Sequence, residues 1–141
     1  RADLMELYLS IPAYEEVPET LAALKAAGVR TGVLSNGSPM MLTSAVGCAE
    51  IAPSLDVVLS VEEVGVYKPD ARVYRLACDR LRLEPGEIAF FSSNAWDIAG
   101  AASFGFRAVW CNRAGAPPER LPGAPVAEIR NLSEVPPLLK G

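Results

Sequence analysis

The sequence predicts an α/β protein built on a doubly wound parallel sheet. Short apolar, β-branched runs alternate along it with segments of helical periodicity. The connections between them are short, which favours parallel strands with helices packed on both faces. Small polar residues follow several of the strand-like runs, at the carboxyl ends where sheets of this kind hold ligands.

Taken in order, Ala2 to Leu9 reads as a helix already under way. Pro18 to Ala27 is a helix with proline in its first turn, Leu21 and Leu24 three apart, and Gly28 closing it. Val29 to Leu34 is a buried strand, followed by the turn-rich Ser35-Asn36-Gly37-Ser38-Pro39 and a helix from Met40 to Val46. The alternation repeats with a strand at Val57 to Leu59 and a helix at Asp70 to Leu83, whose Val73, Leu76, Ala77 and Leu81 share a face. Ile88 to Phe91 is a strand, Trp96 to Phe104 a helix and Arg107 to Trp110 a strand. A Pro- and Gly-rich surface loop spans Ala114 to Pro125. Ala127 to Ile129 is a last strand, and Leu132 to Leu139 a short closing helix. There is no internal repeat and no low-complexity tract.

Composition narrows the chemistry. The 141 residues are long enough for one domain with a substantial core; half are hydrophobic and 21% charged. The formal net charge is −4 with no concentration of Lys or Arg, which argues against nucleic-acid and anionic-membrane partners. No apolar run approaches the length of a membrane span. Cys48, Cys78 and Cys111 have no CxxC spacing, and free thiols in a reducing cytoplasm are expected. With no histidine in the chain, Ser-His-Asp and Cys-His systems and histidine-bound metals are excluded.

Three segments beyond strand ends are candidates for the site. In Ser35-Asn36-Gly37 a sharp turn presents N–H groups beside a hydroxyl and an amide, an arrangement suited to an anion. The same residues make an ordinary strand-ending turn, and alone they favour that reading slightly. In Tyr67-Lys68-Pro69-Asp70 the proline pushes Lys68 out of the helical region, so it projects from a stiff point. A solvated surface lysine is the commoner fate. Tyr74 lies further along the same helix, able to reach the site or simply to pack. The third segment, Ser92-Ser93-Asn94-Ala95-Trp96-Asp97, crowds two serines, an amide and an acid into six residues after an apolar strand. Packing alone does not account for it, although Asp97 also suits a helix N-terminus.

Together these motifs resemble the haloacid dehalogenase superfamily over nearly the whole chain. Ser35 matches its strand-ending Ser or Thr, Lys68 its lysine before a helix, and the run from Ser92 to Asp97 its acidic cluster. In the phosphatase branch that cluster carries two acids that help hold Mg²⁺. Here Ser93 replaces the first, which removes one hard-cation ligand. Ser-Ser-Asn-Ala-Trp-Asp is similar instead to the L-2-haloacid dehalogenase branch, which needs no metal and no cofactor.

The resemblance implies a Rossmann-like core and hydrolysis of a small 2-haloalkanoic acid in two displacements. An aspartate attacks carbon 2 and expels halide; water then opens the ester, leaving a 2-hydroxy acid inverted at carbon 2. It implies Lys68, Ser92, Asn94 and Asp97 as catalytic residues and Ser35, Asn36, Tyr74 and Trp96 as substrate-binding ones. Ser35 would bind the carboxylate and Asn36 the departing halide. Lys68 would keep the nucleophile ionised, with Ser92, Asn94 and Asp97 placing Lys68 and the water. Tyr74 would support the site and Trp96 wall the alkyl pocket. It also implies a homodimer, and the free thiols place the expectation in the cytoplasm.

The nucleophile's Asp-x-x-x-Thr/Val motif and the cap arginine have no counterpart. Residues 1–17 are therefore expected to be the end of a helical cap with its return linker, and 18–141 the carboxyl-terminal part of the core. The central strand is expected from outside this sequence, and the chain alone to be catalytically incomplete. The competing expectations are a phosphatase of the same superfamily and a non-catalytic fragment that needs a partner chain.

Overall fold

The structure, a computed structural model, describes residues 4–7, 16–117 and 123–134. Six parallel strands form one sheet in the order β3-β2-β1-β4-β5-β6. They are β1 (Leu4–Leu7), β2 (Arg30–Ser35), β3 (Val57–Ser60), β4 (Ile88–Ser92), β5 (Arg107–Cys111) and β6 (Ala127–Ile129). The helices are α1 (Val17–Ala26), α2 (Pro39–Ala49), α3 (Ala71–Leu81) and α4 (Ala95–Phe104). The expected alternation and parallel sheet are thus present, with boundaries shifted by a few residues.

Strand alternation divides the core in two, because successive side chains point to opposite faces. Along β4, Ile88 and Phe90 join one apolar cluster with Val73, Tyr74 and Ala77 of α3 and Ile98 and Ala101 of α4. Ala89 and Phe91 join the other, with Val17, Leu21 and Leu24 of α1 and Val46 of α2. In β5, Ala108 and Trp110 belong to the first cluster, Val109 and Cys111 to the second. The strands therefore read as continuous apolar runs, as two-sided burial requires.

Three expectations need correction. The helix foreseen over Ala2–Leu9 is a strand at Leu4–Leu7, paired on both sides with β2 and β4. Four residues held between two parallel neighbours gain ladder bonds on both edges, which outweighs their helical periodicity. The central position left for a strand from elsewhere is accordingly filled by this chain; of the rest of the cap and linker assignment over 1–17, residues 1–3 and 8–15 lie outside the described residues, and Glu16 and Val17 cap and open α1. On α3 the fully buried face is Val73, Tyr74, Ala77, Cys78 and Leu81, with Leu76 only half-buried, since the apolar stripe is centred nearer to Tyr74. The closing helix is a 3-10 turn at Leu132–Glu134, and 135–141 lie outside the described residues.

Two backbone positions set the strand spacing and the first helix end. A Cβ on Gly32 would sit 2.5 Å from Val57 Cγ2, so the absence of a side chain lets β2 and β3 approach. Gly28, at φ +82°, supplies the left-handed residue after α1.

Candidate active site

Polar side chains gather where β2, β3 and β4 end. Ser35 closes β2, and its Oγ accepts the Gly37 N–H at 3.0 Å. That bond bends the chain into a tight turn and leaves the hydroxyl hydrogen to donate elsewhere. Ser60 closes β3 in register with Ser35 and donates its Oγ–H to the Gly37 carbonyl at 2.7 Å, pinning the loop. Next to it, Asn36 Oδ1 accepts the Lys68 backbone N–H at 3.0 Å. An N–H only donates, so this contact fixes the amide orientation and turns the Asn36 NH₂ away from the Lys68 backbone.

Lys68 and Asp97 form the centre. Lys68 Nζ donates to Asp97 Oδ2 at 2.9 Å, and both side chains are wholly removed from solvent. The other carboxylate oxygen, Oδ1, accepts the Tyr74 hydroxyl at 2.7 Å. Asp97 lies in the first turn of α4, where the helix N-terminus favours an acid. Burial above all, then the charge of Asp97 and the bond to it, push the Tyr74 phenol far above its ordinary pKa. Tyr74 therefore remains a neutral donor. The Lys68 ammonium also lies 5.0 Å from the centroid of the Phe90 ring.

At the end of β4, Ser92 repeats the Ser35 device: its Oγ accepts the Asn94 N–H at 3.1 Å, and Asn94 stands at the N-cap of α4, its backbone carbonyl accepting the Asp97 and Ile98 N–H groups. Trp110 Nε1 donates to the Ser93 carbonyl at 3.1 Å and holds this loop from β5. A cleft of about 340 Å³ opens between Ser93–Trp96 and Trp110–Ala114. Trp96 lines it with 43% of its surface exposed, at the rim.

Of the residues expected here, Asn36, Lys68, Tyr74 and Asp97 form one bonded network, although they span three separate segments. Ser35 joins it through the turn, and Ser92 and Asn94 through the start of α4. Trp96 stands at the edge. Sequence reasoning passed over Ser60 and Trp110, and took Phe90 only as part of the apolar strand that runs into the third segment. The strand-end rule that selects Ser35 and Ser92 also selects Ser60, and period-two spacing from Ser92 places Phe90 on the same face. Nothing local in the sequence marks Trp110. Among the described residues, no three His, Cys, Asp or Glu side chains gather as a metal set, and no helix is long and apolar enough to cross a membrane.

Chemically, this is a buried cation anchored by the Asp97 carboxylate and accompanied by neutral hydroxyl and amide groups. Such a set suits the binding of an anion and the stabilisation of developing negative charge.

Comparison with known proteins points the same way. Residues 2–105 match the family described as haloacid dehalogenase-like hydrolase. The chain is 46% identical over 136 residues to (S)-2-haloacid dehalogenase 1 of Pseudomonas sp. (strain CBS-3), covering 96% of this chain and 60% of that protein. It is 45% identical to (S)-2-haloacid dehalogenase 4A of Burkholderia cepacia, again with 96% of this chain and 59% of that one. The solved L-2-haloacid dehalogenase from Xanthobacter autotrophicus, with chloropropionic acid covalently bound, superposes with a TM-score of 0.85 at 31% identity. That match covers 92% of this chain and 61% of the other. The chain thus spans about 60% of the length of the curated relatives it matches.

Proposed function

Since the chain belongs to the haloacid dehalogenase-like hydrolase family, we propose that it forms the lysine- and serine-bearing part of an enzyme that hydrolyses L-2-haloacids to 2-hydroxy acids. The observation that carries this reading is the solvent-free Lys68–Asp97 pair, latched to Asn36 through the Lys68 backbone and to Tyr74 through Asp97. A carboxylate is a weak nucleophile in water; a fixed ammonium in a dry site keeps one ionised and aimed.

In the first step an aspartate from outside these 141 residues bonds through oxygen to carbon 2, and halide leaves with the electron pair of the C–halogen bond. The Ser35 hydroxyl, its oxygen occupied by the Gly37 N–H, donates to the substrate carboxylate. The Asn36 NH₂, its carbonyl held by Lys68, supports the halide. Neutral donors stabilise that anion without retaining it. In the second step water attacks the ester carbonyl and frees the product, inverted at carbon 2. Ser92 and Asn94 place the water. Asp97, with each oxygen already accepting a bond, serves to hold Lys68. Trp96 walls the substrate's alkyl group. Ser93 contributes no carboxylate where a phosphatase carries one, so the reaction runs without a metal or other cofactor. The same reading includes a cytoplasmic homodimer.

The test is halide release from (S)- and (R)-2-chloropropionate by the product of the whole reading frame, with and without chelator. The expected result is (R)-lactate from the (S) substrate alone, unaffected by chelator. Mg²⁺-dependent release of phosphate from a phosphomonoester, with no halide release, would assign the site to the phosphatase branch.

A further inference from the structure

Phe90 carries no polar atom, yet it touches two members of the network. Its ring is wholly buried in β4. The Lys68 Nζ lies 5.0 Å from the ring centroid, and the Tyr74 ring meets it at 5.8 Å with an interplanar angle of 89°. Lys68 and Tyr74 are the two side chains that bond the oxygens of Asp97. One ring therefore braces both grips on the same carboxylate.

Core packing explains why a large apolar residue stands at this position, but a leucine or methionine would fill most of the same volume. What an aromatic face adds is electrostatic. An ammonium taken out of water needs compensating attraction. Asp97 provides it and balances the charge, and a further carboxylate would leave the group net negative. A ring provides it through its quadrupole while adding no net charge.

We propose that Phe90 is a positioning residue whose ring face holds the Lys68 ammonium in place against Asp97 and whose contact with Tyr74 steadies the second bond to that carboxylate. Its value to catalysis rests on the dehalogenase reading above, whereas the cradle is a property of the folded chain. Asp97 from α4 bonds the Lys68 ammonium, and Tyr74 from α3 acts on it through Asp97.

The experiment uses the full 141-residue chain with 4-fluoro-, 3,5-difluoro- and 3,4,5-trifluorophenylalanine at position 90. Fluorination keeps the shape of the ring and drains its quadrupole. The readout is hydrogen exchange of the Lys68 ammonium in ¹⁵N-detected spectra, assigned by its loss in Lys68→Arg. Exchange is expected to quicken stepwise with each fluorine, by roughly twofold to thirtyfold across the series, while the backbone amide spectrum stays that of the native fold. A flat exchange rate across the series would reduce Phe90 to packing and overturn the proposal. Phe90→Leu should match the trifluoro variant; if it does not fold, the fluorinated series decides. No substrate enters this measurement, so its failure and the failure of the dehalogenase reading are separately visible.

Discussion

Replacing Lys68 with methionine tests the buried ion pair directly. Methionine keeps most of the stem volume and deletes the ammonium, so Asp97 keeps the Tyr74 bond but loses its counter-ion in a position with no solvent access. Removing one partner of such a pair costs about 3–5 kcal/mol, because the survivor is left as an uncompensated buried charge. A domain is stable by only roughly 5–15 kcal/mol. With a urea dependence of about 2 kcal/mol per molar, the unfolding midpoint should fall by roughly 2 M. The assay is urea unfolding followed by circular dichroism and by the fluorescence of Trp96 and Trp110. A second variant, Lys68→Met with Asp97→Asn, removes both charges while the amide oxygen still accepts from Tyr74. It should recover most of the loss, leaving about 1 kcal/mol for the amide donors without a partner. A Lys68→Met midpoint within 0.5 M of wild type, to about the error of such extrapolations, would refute the buried pair. So would a double variant no more stable than the single one.

Two further outcomes follow from the same geometry. Burial raises the Tyr74 pKa in the fold above its unfolded value, so its contribution is complete below about pH 10 and is lost as pH climbs beyond that. Wild type should then lose stability up to about 1.4 kcal/mol per pH unit faster than Tyr74→Phe; parallel curves in alkaline urea titrations would contradict this. At the β2–β3 contact, Gly32→Ala should destabilise by about 1–3 kcal/mol through overpacking against Val57. Adding Val57→Ala should restore part of the loss, and a neutral Gly32→Ala in thermal unfolding would mean the strands are not so close.

Much of the fold was legible because two-sided burial leaves a strong mark: apolar strands such as Ile88–Ser92 and Arg107–Cys111 stand out from the helices between them. The site was legible for a related reason. Strand ends in parallel sheets face ligands, so Ser35 and Ser92 are conspicuous against apolar runs. What escaped reading depends on contacts remote in sequence. Leu4–Leu7 carries no local strand signal, and its conformation is set by β2 and β4. Trp110 reaches back to the Ser93 carbonyl, and Phe90 looks like any core residue until Lys68 is placed over it. The face of α3 was read through Val73, Ala77 and Leu81, but Tyr74, a residue with a polar tip at the centre of its buried stripe, and Cys78 were left out of it.

The position of β1 bears on how the chain finds this fold. The sheet has two blocks, β3-β2 and β4-β5-β6, and β1 forms the seam between them, pairing Leu4 with both Arg30 and Ile88. Within the sheet neither block borders the other, so their ladder register passes through these four residues, while the Lys68–Asp97 bond and the apolar cluster around Leu34, Leu59 and Phe90 link the blocks outside the ladder. Asn36 and Lys68 approach the site from one block, Ser92 and Asp97 from the other. Assembly of the network must therefore wait for a pairing that joins distant parts of the chain, the kind of contact whose loop-closure entropy slows folding. In refolding, the polar network should consolidate last, after both blocks have formed their own ladders.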